Sequence, residues 1–291
     1  MSNQPSIRPV SARNFGNTQT MTRTITPIAS LIALFAFFVT PAAQAQPTEA
    51  ELEAARVTID GRCSVGEWRA CVVLGRMYRT GTGVDTDLPR AHELFNMSCA
   101  GDPSLCGDLG TLYLSGEGVE QNIPTAIGYF SLACDNNSAS NCRTLGMLFR
   151  DGVGVEQDLE SAVSMFRRAC DLRDFNGCSF LSTAFLTGAG VEQNTQTALS
   201  ILQVACEGGG AINCYELGMI HLQGEHTLVN YQIGIPLLQQ ACDGEIAQGC
   251  AFMGLMFHHG QGAPADPETA ARYLSRACDL GDNTACRMMG R

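Results

Sequence analysis

The chain has 291 residues, a formal net charge of −11 at pH 7, and no lysine among its 18 basic residues. So acidic a chain repels the phosphates of nucleic acid and anionic lipid headgroups, and neither is expected as a partner. Its 14 cysteines call for either an oxidising compartment or a metal.

The first 45 residues contain Arg8, Arg13 and Arg23 and no acidic residue. Ile28 to Val39 is an apolar run of twelve, too short to span a bilayer stably as a helix. Pro41 and the small-residue pattern Ala43-Gln44-Ala45 follow. Residues 1–45 are therefore expected to be a secretory signal peptide cut after Ala45, and Met21 is a candidate true start. The competing reading, an Arg-rich transit peptide, fits the uninterrupted apolar stretch poorly. No cysteine stands near the cleavage point for a lipid anchor. After cleavage no stable membrane insertion is expected, and the protein should be periplasmic or secreted, from an envelope of the Gram-negative type.

Thr48 with Glu51 three residues later is a capping-box pattern. It predicts a short helix within residues 46–62, ending near Gly61 and Cys63. Its place matches the second helix of a missing repeat, so it should cap an array whose apolar end would otherwise face water.

From Cys63 to Arg291 one pattern recurs with a period of 36 residues. Leu-Gly stands at Leu74-Gly75, Leu109-Gly110, Leu145-Gly146 and Leu217-Gly218, with Leu181-Ser182, Met253-Gly254 and Met289-Gly290 as near matches. Such a period signals a stacked array rather than a globule with one core. An aromatic follows four after the Leu, at Tyr78, Tyr113, Phe149, Phe185 and Phe257, on the same helical face. The intervening Gly lets a neighbouring helix come close. A glycine pair such as Gly152 and Gly154 ends the helix. Six residues after the first glycine comes Asp87, Asn122, Asp158, Asn194, Asn230 or Asp266, the preferred N-cap of a second helix. Each unit is predicted to be a helical hairpin, six complete and a seventh begun.

The cysteine gaps alternate between eight, once seven, and 28. Pairing across the long gaps strands Cys63 and Cys286, whereas pairing across the short gaps strands none. The expected bonds are Cys63–Cys71, Cys99–Cys106, Cys134–Cys142, Cys170–Cys178, Cys206–Cys214, Cys242–Cys250 and Cys278–Cys286. Each would staple one hairpin to the next, with a chain-entropy gain of about 2.5 kcal/mol. Zinc favours thiolates in fours, which isolated pairs do not supply, and redox catalysis lacks its C-x-x-C.

L-G-x-x-Y, G-x-G-V, the second-helix alanines such as Ala126 and Ala162, and the closing Ala-Cys together resemble the Sel-1-like repeat family, relatives of the tetratricopeptide repeat. The cysteine pair at each junction, with the signal sequence, is similar to the subgroup of Helicobacter cysteine-rich proteins. The resemblance covers residues 63–291 and implies an all-α fold, a right-handed α/α solenoid stapled by disulfides, with first helices lining a concave face. It implies a scaffold that binds a protein or peptide. The subgroup's association with penicillin binding and weak β-lactamase activity implies a second possibility, a β-lactam as ligand or substrate. No residues supply a known mechanism for it: S-x-x-K needs a lysine, and H-x-H-x-D and G-x-S-x-G are absent. No catalytic residue and no cofactor is assigned.

Copies that break their own rule are pointers to function. In the fifth, His221 takes the aromatic position, His226 replaces the second glycine, Gly234 replaces the alanine, and Pro236 enters the second helix. His258 and His259 follow one period later, and the four histidines offer a metal or haem ligand set as an outside reading; the plainer one is packing and solvation. His92 is expected to be exposed. Trp68 either plugs the seam to the cap helix or anchors a partner. Arg69, Arg76, Arg79 and Arg90 form one basic area, and Arg143, Arg150, Arg167, Arg168 and Arg173 another, suited to carboxylates of acidic peptides or cell-wall fragments. Val72, Gly107, Arg143, Ser179, Tyr215 and Ala251 are expected to face solvent in the groove.

Overall fold

The computed structural model describes residues 48–224 and 226–291, so the expected signal peptide lies outside the described residues. A first helix, α1 (Glu49–Ser64), is followed by six hairpins. These pair α2 (Trp68–Thr80) with α3 (Leu88–Gly101), α4 (Gly107–Ser115) with α5 (Ile123–Asp135), and α6 (Ala139–Asp151) with α7 (Leu159–Asp171). The next three pair α8 (Phe175–Thr187) with α9 (Thr195–Glu207), α10 (Ala211–Gln223) with α11 (Tyr231–Asp243), and α12 (Ala247–His259) with α13 (Pro267–Asp279). The short α14 (Asn283–Met288) begins a seventh. Every helix packs chiefly on its neighbours in the chain, which makes the array an all-α, right-handed α/α solenoid. Apolar side chains form a row of small clusters, each shared by adjacent elements, instead of one centre.

Local chemistry explains the hairpin. Gly152 ends α6 at φ 66°, a left-handed conformation that lets its N–H reach back to Leu148 O. Asp158 then accepts a hydrogen bond from Ser161 N at 2.9 Å and starts α7. The turn is locked by one more bond, in which the N-cap N–H donates to the carbonyl of the aromatic position. Asp87 to Tyr78, Asn122 to Tyr113, Asp158 to Phe149, Asn194 to Phe185, Asn230 to His221 and Asp266 to Phe257 all lie between 2.7 and 2.9 Å.

The two helices close on the Leu-Gly seam. An added methyl at Gly75, Gly110 or Gly146 would stand 2.6 to 2.8 Å from the ring of Phe95, Phe130 or Phe166. Between hairpins, all seven short-gap cysteine pairs are bonded, with Cα separations of 4.4 to 4.8 Å and no cysteine free. At the start of the array Thr48 and Glu51 form a capping box, and α1 runs on to pack against α2.

Three expectations of exposure are corrected by packing. Val72 is 7% exposed, in a cluster with Phe95 and Leu109, because that edge of α2 faces the next hairpin. Gly107 is buried beneath the amide of Asn141. His92 is half-buried, edge-on to Tyr113 at 6.0 Å. Trp68 is half-buried at the head of α2, against Gly101 and the cluster around Cys63 and Leu94, so it closes the first seam.

Candidate functional site: the first-helix face

Even-numbered helices α2 to α12 stand side by side, and polar pairs cross from one to the next. Arg76 on α2 donates to both carboxylate oxygens of Asp108 on α4, at 2.8 and 2.9 Å. Arg143 on α6 donates to Asp174, the N-cap of α8, at 3.1 Å. Ser179 on α8 donates to Glu216 on α10 at 2.6 Å. The Asp108 and Asp174 side chains are only 12% and 11% exposed; Arg143 is also largely covered, so its pair is better shielded than an ordinary surface salt bridge, whereas Arg76 is 58% exposed.

The Cys99–Cys106 junction, with six residues between its cysteines against seven in every other, breaks the row. Losing one residue replaces the opening turn of the first helix with a 3-10 turn, Pro103–Leu105, leaving α4 nine residues long against thirteen in α6. A notch of about 340 Å³ opens there, bounded by Arg76, Asp108, Thr111, Ser138, Asn141 and Thr144. Its lining is mixed, with Val72, Leu105, Leu114 and Phe130 contributing apolar surface.

Farther along lies a second polar group. Asn213 is fully buried, and its Nδ2 donates to Phe175 O at 3.0 Å and to Ser179 Oγ at 2.9 Å. Its buried Oδ1 has no hydrogen-bond partner among the described residues. Burial pushes the Glu216 carboxyl above its ordinary range, against the hydrogen bonds it receives, and burial with the Glu216 charge pushes Tyr215 up as well. Sequence reasoning reached Ser179 and Tyr215 as varying positions and missed Asn213 and Glu216. The available signal was register: they flank Cys214 and Tyr215, and a glutamate at that place occurs only in this repeat.

The histidines do not come together as a ligand set. His221 is half-buried, its Nδ1 has no hydrogen-bond partner among the described residues, and burial lowers its basicity. His226 is exposed, and so are His258 and His259, whose rings meet at 4.8 Å. Among the described residues no three His, Cys, Asp or Glu side chains are placed to hold a metal. Five of the nine arginines in the expected basic areas pair within the protein: Arg90, Arg150 and Arg168 with Glu93, Asp151 and Asp135, beside the pairs of Arg76 and Arg143.

Repeated two-helix modules with a Leu-Gly seam and an Asx N-cap define a helical-hairpin repeat protein. The Sel1 repeat model matches six segments, residues 68–103, 106–138, 142–174, 176–210, 214–245 and 247–282. The chain belongs to the Sel1 repeat family, and the bonded pair at every junction places it with the family's cysteine-rich members. Among solved structures, a protective antigen of uropathogenic Escherichia coli with an SLR fold is 24% identical over 79% of this chain, with a TM-score of 0.65. The match spans 50% of that antigen. A Sel1 repeat protein from Oxalobacter formigenes is 21% identical over 79% of this chain and 98% of its own, also at 0.65. Helicobacter pylori cysteine rich protein B is 32% identical over 46% of this chain and 97% of its own, with a TM-score of 0.37. No curated protein matches the chain. Among the described residues no helix is long and apolar enough to cross a membrane, and seven disulfides point to an oxidising compartment.

Proposed function

We propose that the protein is a periplasmic or secreted scaffold that binds a protein or peptide partner along its first-helix face, the concave side of the solenoid. The observation that carries this is the row Arg76–Asp108, Arg143–Asp174, Ser179–Glu216. Its chemistry changes from repeat to repeat over an unchanging frame of caps, seams and disulfides, and the notch beside Asp108 supplies a recess for an anchoring side chain. A photocrosslinker at Ser140, on the rim of the notch, tests it in the cell envelope. One specific adduct is expected, lost when Thr144→Trp fills the notch and kept when Ser164→Trp alters the exposed face of α7. No adduct, or one indifferent to Thr144→Trp, rejects the reading.

A second reading, binding or slow hydrolysis of β-lactams, is favoured by one contact. The Ser179 hydroxyl donates to a carboxylate whose proton affinity burial has raised, the direction that suits a general base. Nitrocefin turnover by the full chain, abolished by Ser179→Ala, is the expected result. Absence of turnover, or turnover unchanged in that variant, ends it.

A further inference from the structure

Second helices are tied to one another on the opposite side of the array. Arg168 on α7 donates to the Asp135 carboxylate and carbonyl at the end of α5, both at 3.0 Å. Arg276 on α13 reaches Asp243 on α11 in the same way, at 3.2 and 3.4 Å. Between α7 and α9 the equivalent of Arg168 is Val204, 67% exposed, and among the described residues no arginine reaches Asp171. A cleft of about 490 Å³ lies there. Its walls are apolar, formed by Phe175, Leu181, Ile201 and Val204 with the Cys170–Cys178 bond.

The mouth of the cleft is cationic. Arg167 and Arg173 line it, and neither has a carboxylate partner among the described residues. Arg167 lies over the Phe185 ring at 5.7 Å; Arg173 donates to Gly208 O at 2.6 Å and stands 5.9 Å from the Phe175 ring. The lining thus carries two guanidinium groups and one carboxylate, Asp171. Arg173 also has a φ of 67°, at a junction position that is Gly66, Asn137, Gly209 or Gly281 elsewhere and Glu245 once. Left-handed backbone disfavours a side chain as large as arginine, and an outlier of this kind at a cleft is a pointer to use.

We propose that this cleft binds an aliphatic carboxylate of the fatty-acid type, its chain between α7 and α9 and its headgroup on Arg167 and Arg173. The volume falls within the range of about 300–1,000 Å³ usual for small-molecule sites, and the planar guanidinium is the side chain best matched to a carboxylate. The site is separate from the first-helix face and does not depend on the function proposed for it.

Calorimetric titration of the full, disulfide-bonded chain with dodecanoate tests the assignment. One saturable site is expected below the micellar concentration, with dodecyltrimethylammonium at least tenfold weaker. Val204→Arg sets a guanidinium opposite Asp171, as Arg168 stands opposite Asp135, and should weaken dodecanoate at least tenfold with an unchanged circular dichroism spectrum. Arg167→Gln with Arg173→Gln should remove the preference for the carboxylate over the cation. No saturable dodecanoate binding, equal binding of the cation by the unaltered protein, or unchanged affinity in folded Val204→Arg overturns the proposal.

Discussion

The Phe166 ring lies so close over Gly146 that a methyl there would stand 2.7 Å from two of its carbons. Ala162 O lies 3.2 Å from the same point, so the methyl cannot escape the ring by shifting toward the α7 backbone. Gly146→Ala therefore sets a gain in helix propensity of about 1 kcal/mol against overpacking of about 1–3 kcal/mol. A net loss of roughly 1 kcal/mol is expected. Gly128, exposed in α5 with nothing within 4 Å of its added methyl, is the matched control. Gly128→Ala should stabilise by up to about 1 kcal/mol in the same urea titration. If both variants shift the same way, the seam is not what the glycine serves.

Seams, caps and junctions were legible because each rests on a residue with one physical reason to be there. Asp158 caps because its carboxylate accepts Ser161 N, and Gly152 ends a helix because its backbone turns left-handed. Both effects act within a few residues, so a linear pattern records them. The polar row was not legible in the same way. Ser179 and Glu216 meet only because the repeat stacks them, 37 residues apart, and Val72 is buried by Leu109 and Leu112 of the next hairpin as well as by its own. The notch is an intermediate case: the seven-residue cysteine gap stood in the sequence, but its effect on the length of α4 needed coordinates.

Glu216 carries a cost at neutral pH. A carboxyl whose proton affinity is raised on folding contributes stability at acid pH, and that contribution is lost as pH rises through the ordinary glutamate range toward the folded value. Glu216→Gln keeps an acceptor for Ser179 and has no charge to bury. Its melting temperature should exceed that of the unaltered protein at pH 7, and the two should converge near pH 4. A variant less stable at pH 7 would mean the ionised carboxylate holds α8 and α10 together.

His221 occupies the aromatic position of its repeat with a buried Nδ1 that has no partner among the described residues. Burial depresses its pKa, so the stability it contributes is present above the ordinary histidine range and is lost as pH falls toward the folded value. His221→Phe restores the side chain found at Phe149, Phe185 and Phe257 and removes the orphan. A gain of about 1–3 kcal/mol is expected, with a flatter loss of stability between pH 7 and 5. Thermal melts across that interval decide the point; equal slopes for both proteins would clear His221 of any part in acid sensitivity.

The staples should not open together. Both sulfur-bearing residues are buried in Cys63–Cys71, Cys134–Cys142, Cys206–Cys214 and Cys242–Cys250, none more than 3% exposed. Cys99, Cys170, Cys278 and Cys286 are half-buried, which leaves a sulfur within reach in the other three pairs. Thiol–disulfide exchange requires a thiolate to approach the bond, so access sets the order at low reductant. Brief treatment with dithiothreitol, followed by alkylation and peptide mass spectrometry, should label Cys99–Cys106, Cys170–Cys178 and Cys278–Cys286 first. Loss of one staple removes about 2.5 kcal/mol of chain-entropy restraint at one junction only. In an array stabilised by nearest neighbours, that local loss should broaden the melt before it lowers the whole transition. Simultaneous labelling of all seven pairs would show instead that the array opens as one cooperative unit before any bond is reached.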